Sequence, residues 1–149
     1  MVYDYYVVEC NNDVAFVNEL MNGKYKEKII HAGNKTNVLK TLEKRSQCVG
    51  LIDEDPSSSQ PPKLRDIQLQ DVGNDIKVGK YKGNLIVVLC PRLEEWVEKV
   101  VRNAGIQKNI KAKDLEDEKR LVDVIQKLTA SNPELEPIRR LRDLLLRGL

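Results

Sequence analysis

The sequence predicts an α/β protein: a sheet of about four mainly parallel strands flanked by helices, followed by a C-terminal helical extension. Three observations support this reading. Short runs rich in β-branched and aromatic residues alternate with segments whose apolar residues recur every three or four positions. Residues 84–90 (NLIVVLC) are apolar almost without break, the pattern of a strand covered on both faces. The last third of the chain has helical spacing throughout.

Residues 2–9 (VYDYYVVE) read as the first strand. Asn11, Asn12 and Asp13 are helix-capping types, and Val14, Val17, Leu20 and Met21 follow at helical spacing until Gly23 offers a stop. Residues 27–31 (EKIIH) form a second short strand, 32–34 a turn, and Val38, Leu39 and Leu42 mark a second short helix. Residues 48–52 make a third strand that runs straight into the acids Asp53, Glu54 and Asp55. Residues 56–63 (PSSSQPPK) hold no regular structure, and 64–82 are polar with a weak apolar alternation around Ile76 and Val78. After the 84–90 strand, Pro91 opens a helix with Leu93, Val97, Val100, Val101 and Ala104 on one face and Gly105 at its end. A helix over about 114–130 turns Leu115, Leu121, Val122, Ile125 and Leu128 inward. Another starts at an Asn132 cap with Pro133 in first position, and its apolar face is Leu135, Ile138, Leu141 and Leu145. The expected division is an α/β domain over 1–105, with 56–82 as a loop or flap insertion, and a helical extension over 106–149.

The 149 residues carry 25 basic and 23 acidic side chains, so a net charge of +2 neither requires nor excludes an anionic partner. Cys10, Cys48 and Cys90 are scattered and form no CxxC pair, which argues against a zinc site or disulfide framework. The N-terminal stretch lacks a basic leader and cleavage pattern, and no apolar run approaches the ~18 residues a membrane span needs. A soluble cytoplasmic protein without membrane contact is expected.

In a doubly wound α/β sheet, sites form outside the carboxyl ends of the strands. Glu9, His31, Asp53 and the 91–95 segment all fall there. In an extended segment Asp53 and Asp55 point to the same side, so both can reach one cation. Hard oxygen ligands suit Mg2+ or Mn2+. A second reading makes the acids turn formers ahead of Pro56. Asp13 is a helix cap or faces the same cleft. Glu94 is a metal ligand or, with Glu95, a first-turn acid that complements the helix dipole. Lys35, beside a helix start, meets a phosphate or is an exposed turn lysine. Trp96 reads as a packing residue. The arginines at 139, 140, 142 and 147 suit either a nucleic-acid backbone or a solvated helix face.

Residues 7–16 (VVECNNDVAF) and 51–55 (LIDED) resemble, in order and spacing, the two motifs of the Toprim domain: a strand ending in glutamate, then a DxD after a later strand. Residues 31–38 (HAGNKTNV) and 89–96 (LCPRLEEW) resemble further turns of small Toprim-like proteins, so the likeness covers roughly residues 3–104. Cys10 stands where the family usually has glycine. Ser57 stands where the topoisomerase form has a third aspartate, which favours the nuclease-like branch. The resemblance implies a Rossmann-like Toprim sheet and Mg2+- or Mn2+-dependent phosphodiester chemistry on DNA or RNA. Glu9 would be general acid/base and a metal ligand, Asp53 and Asp55 would hold metal, Glu94 would assist them, and Asp13 and Lys35 would contact phosphate or nucleic acid. The alternative is a non-catalytic module that binds a metal-nucleotide or a partner protein. The C-terminal helices would then dock that partner or a second copy.

Overall fold

Side-chain alternation along the central strands decides the architecture, because each strand feeds two cores. Tyr6, Val8, Val49, Leu51, Leu85, Val87 and Leu89 enter one apolar cluster, and Val7, Cys48, Ile52, Ile86 and Val88 enter the other. The computed structural model of the chain describes residues 3–107 and 109–149; Val2, which the sequence reading includes in the first strand, lies outside the described residues.

The elements run β1 (Tyr5–Val8), α1 (Asn11–Leu20), β2 (Ile29–His31), α2 (Lys35–Glu43) and β3 (Cys48–Asp53). A one-turn helix α3 (Pro62–Arg65) leads to β4 (Gln70–Asp71), β5 (Ile76–Tyr81) and β6 (Asn84–Leu89). The remainder is helical: α4 (Leu93–Asn103), α5 (Glu118–Ser131) and α6 (Glu136–Arg147). The six strands form one sheet in the order β2-β1-β3-β6-β5-β4. The first four of that order are parallel, as expected, and β5 and β4 add an antiparallel edge. The expected sheet of about four strands is therefore enlarged, because β4 and β5 lie inside the expected 56–82 insertion. Its signal is the turn Lys82-Gly83, where both residues have positive φ (50° and 81°) and join β5 to β6 as a tight hairpin.

Helix α2 covers the face built on Val7, Ile52 and Ile86. It packs close because β3 carries Gly50 beneath it: a Cβ there would stand 2.8 Å from Leu42 Cδ1. Helices α1, α4, α5 and α6 cover the other face, so Leu121, Ile125, Leu141 and Leu145 share a core with Phe16 and Trp96. The Tyr6 hydroxyl donates to the Leu145 carbonyl at 2.8 Å across that core. Inside α5 the buried position is Val124, whereas Val122 is half-exposed. Helix α6 starts after Leu135 with Pro137 in its first turn, not at Asn132–Pro133. The Asn132 N–H instead donates to the Leu128 carbonyl and closes α5. Among the described residues no helix is long and apolar enough to cross a membrane.

One buried polar side chain joins three of these pieces. Asn84 Oδ1 accepts from the Cys48 N–H at 3.0 Å, while Nδ2 donates to the carbonyls of Leu42 and Arg45, each at 2.9 Å. This ties the end of α2 to the start of β3 and to the β5–β6 hairpin. Leaving those buried groups unpaired costs about 2 kcal/mol. Asn84→Ala is therefore expected to lower the unfolding free energy by that amount, read as a urea midpoint lower by about 1 M with an unchanged m-value. An unaltered midpoint would show that the tie is dispensable.

Candidate functional site

The four parallel strands end at one rim, and the chain places an acid at or just beyond three of those ends. Glu9 follows β1. Its Oε2 accepts from the backbone N–H of Asp53 at 2.8 Å, so the first and third strands are joined through a carboxylate. Asp53, the last residue of β3, accepts from the Leu93 N–H at 3.0 Å. That amide belongs to the first turn of α4, whose N–H groups have no partner within the helix. Asp13 lies in the first turn of α1 and reaches back to the Cys10 N–H at 3.1 Å and the Cys10 thiol at 3.2 Å. Its role is thus that of a capping residue, and it is 2% exposed. Glu94 follows β6, in the first turn of α4.

These acids act on one another. Burial pushes the Asp53 carboxyl up to about 8, reinforced by the charges of Asp13, Glu9 and Glu94 against the Leu93 hydrogen bond. Burial and Asp13 push Glu94 up to about 7, with Arg92 opposing and Glu95 and Glu116 adding to the rise. Glu9 is raised by burial, pulled back by the Asp53 N–H, raised by Asp13, lowered by Lys35 and raised by Asp55. Asp13 is raised by burial, and the Cys10 hydrogen bonds and the charge of His31 work against that.

The expected neighbours divide into two groups. Asp55 does not continue the strand: its φ is +44°, its N–H donates to the Pro91 carbonyl at 2.7 Å, and its carboxylate accepts from Ser58 Oγ at 2.5 Å. The extended geometry that would align it with Asp53 stops at residue 53. It remains on the rim through its charge on Glu9. Lys35 is buried rather than an exposed turn lysine, and its Nζ donates to the Glu54 carbonyl at 3.3 Å and to Gln60 Oε1 at 3.0 Å. Gln60 Nε2 donates in turn to the carbonyls of Glu54 and Asp55 at 3.0 and 2.9 Å, closing the 54–60 loop over the rim. Glu95 is engaged by Arg92, which leaves Glu94 as the α4 acid coupled to the cluster. Trp96 is a core residue whose indole N–H donates to the Asn74 carbonyl at 2.8 Å. Beside the cluster, a cleft of about 260 Å³ is bounded by Asp53, Glu54, Gln60, Leu64 and Arg65. Sequence reasoning missed Gln60. Its only sequence signal is a polar side chain inside a Pro/Ser-rich loop next to the acids.

The donor set suits a hard divalent cation. Glu9 and Asp53 each have one oxygen held by a backbone N–H, and their other oxygens form no hydrogen bond among the described residues. The nearby cations are committed elsewhere, Lys35 to the loop and Arg92 to Glu95. Among the described residues, no three Asp, Glu, His or Cys side chains are gathered as a ready-made metal cage. Magnesium does not demand one, since it keeps several waters and usually binds through one or two carboxylates plus substrate phosphate.

Crowding of this kind has a pH signature. An acid whose pKa rises on folding binds its proton more tightly in the native state. Its effect is nil below the ordinary value and becomes a full penalty above the folded value. For Asp53 that window runs from 3.8 to about 8. Metal-free protein is therefore expected to lose thermal stability as pH rises toward 8. Asp53→Asn keeps an acceptor for the Leu93 N–H and removes the charge. It should raise the melting temperature near pH 8 by roughly 2–4 °C, the shift that ~1 kcal/mol gives at this size, and flatten the pH dependence. A melting curve equally pH-dependent in the variant contradicts the assignment.

No family model matches the chain, and comparison with curated proteins and with solved structures likewise gives no match.

Proposed function

We propose that this chain performs metal-dependent phosphodiester chemistry on nucleic acid, as a nuclease-like protein of Toprim type. The observation that supports this most is the Glu9 carboxylate seated on the Asp53 backbone, inside a group where Asp13 and Glu94 also press on Asp53. Hydrolysis of a phosphodiester needs negative charge to be neutralised at phosphorus and protons to move between water and the leaving oxygen.

Asp53 would hold the cation, with Glu94 assisting from α4 and Asp55 from the turn. A bound Mg2+ or Mn2+ supplies Lewis-acid polarisation of a phosphoryl oxygen and a water of lowered pKa. Glu9 is the general acid/base. Burial raises its pKa above the ordinary carboxyl value, the direction that suits a group which must hold a proton as well as release it. The hydrogen bond from the Asp53 N–H fixes which Glu9 oxygen is held and which is free to exchange that proton. Asp13 does not touch the substrate. It positions the Glu9–Cys10 turn through the capping bond and adds negative charge that favours cation uptake. Lys35 and Gln60 hold the 54–60 loop so that the Asp53–Asp55 backbone keeps its path.

Purified protein with manganese or magnesium should nick or degrade single- or double-stranded DNA or RNA. Glu9→Gln and Asp53→Asn should each reduce the rate at least about a hundredfold, with melting temperatures that show folded protein. Wild type inert on all four substrates, or a folded Glu9→Gln/Asp53→Asn variant as active as wild type, rejects the proposal. Calorimetric binding of Mn2+ without any cleavage assigns the same carboxylates to a binding module instead.

A further inference from the structure

The near-neutral total charge hides a strong segregation. Residues 24–45 carry seven Lys and Arg against two acids, a net of +5 in a chain whose total is +2. This segment builds one flank of the molecule: β2, the edge strand of the sheet, and α2, which crosses over to β3. Between β2 and α2 lies an open groove of about 550 Å³ lined by His31, Asn37, Lys40, Thr41, Lys44 and Arg45, with no acid among its lining residues. Lys40 and Lys44 are four apart on α2 and so share a face, and Arg45 follows at its end.

None of these three cations faces an acid. Lys40, Lys44 and Arg45 are exposed, and none joins an ion pair among the described residues. Elsewhere several basic side chains are neutralised in place, as in Lys77–Glu54, Lys99–Asp75 and Arg120–Asp114. The acids of the flank do not fill the gap. Glu43, on α2 itself, is held by Lys63 and the Tyr81 hydroxyl. Asp4 and Glu27 form no ion pair there. The Arg45 guanidinium lies over the Tyr5 ring, 4.6 Å from its centroid, so its contact there is with an aromatic face and not with an acid.

The groove is continuous with the rim. His31 ends β2 at the same edge as Glu9 and Asp53, and its charge already reaches Asp13. Helix α2 runs back from that rim, from Lys35 beside the 54–60 loop to Arg45 at the far end.

We infer that the β2–α2 flank is a track for the phosphates of a nucleic-acid strand, which it leads to the carboxylate rim. This rests on the nucleic-acid reading of the rim. A row of unpaired cations complements a row of phosphates, whereas the rim repels them until a cation is bound. The lining holds no Phe, Tyr or Trp on which a base would stack, so the contacts are mainly to backbone and independent of sequence. The track thereby separates attraction from chemistry: the cations of α2 concentrate the polyanion, and the carboxylates act on the phosphate that reaches them.

The test is fluorescence anisotropy with short single-stranded DNA and RNA oligonucleotides, without divalent metal, over a salt series. Each phosphate contact contributes roughly 0.7 to the slope of log K against log salt for a single strand. Lys40→Gln/Lys44→Gln/Arg45→Gln should lower that slope by about 2 and weaken binding about tenfold or more. Lys111→Gln/Lys113→Gln/Lys119→Gln should keep the wild-type slope. Melting temperatures report that each variant is folded.

The track is overturned if the α2 triple variant keeps the wild-type slope, or if the control triple lowers it equally. It is also overturned if wild type binds no oligonucleotide, including the case where it binds phosphatidylserine vesicles instead. The two readings fail separately. A wild type that binds through α2 but cleaves nothing with manganese keeps the track and loses the nuclease assignment. Cleavage with an α2-independent slope does the reverse.

Discussion

Three backbone N–H groups hold three carboxylates against their mutual repulsion, and the rest of the molecule is arranged around that constraint. Asp53 N–H holds Glu9, Leu93 N–H holds Asp53, and Cys10 N–H holds Asp13. Each donor lies at a strand end or in a helix first turn, where backbone amides lack partners in their own element. The parallel arrangement of β1, β3 and β6 gathers these ends into one place. An antiparallel sheet would send alternate ends to opposite edges. The like charges brought together are only partly compensated by the amides, and Asp53 and Glu94 are the groups pushed furthest toward their protonated forms. A dication relieves that cost, which is why the same geometry supports a metal-dependent reading.

The electrostatics of the whole chain follow a simple division. Acids concentrate at the rim, and basic side chains concentrate along residues 24–45. Many of the remaining charges pair locally, several along single helices, such as Lys127 with Asp123 and Arg147 with Asp143. Those exposed pairs contribute little to stability. The cluster and the basic flank are two regions where charge of one sign predominates. The arginines of α6 illustrate the point. Arg139 and Arg147 both face Asp143, and Arg142 reaches the Leu20 carbonyl at 3.4 Å, so that helix is a solvated face tied to the core.

Much of this was legible in the residues themselves. The parallel part of the sheet follows from strands and helices alternating at their proper periods, and the 84–90 run correctly announces a strand buried on both faces. The antiparallel edge was not legible by apolar content, because Ile76 and Val78 alternate with Lys77 and Gly79, and β4 is only two residues long. The hairpin turn at Lys82-Gly83 was the better signal. The rule that proline opens a helix is sound but was applied to Pro133, when the first turn of α6 holds Pro137. At the site, Glu9 and Asp53 were found because strand ends are predictable from hydrophobic runs. The placement of Asp55 depended on the strand continuing two residues further, and the chain turns there into the left-handed region. The sequence leaves Asp13 as a helix cap or a cleft residue; it caps α1, and its charge on Asp53 and Glu94 follows from the way α1 docks, which no local pattern records.

The mutual repulsion of these carboxylates is measured most directly by carbon-detected NMR titration of the Asp and Glu side-chain carboxyl groups, with and without magnesium. In metal-free protein the account predicts cluster carboxyls with midpoints near 7 and 8, those of Glu94 and Asp53. Saturating magnesium should lower them by about two units or more. Carboxyls that all titrate near the ordinary ~4 of Asp and Glu, and do not respond to magnesium, would contradict it.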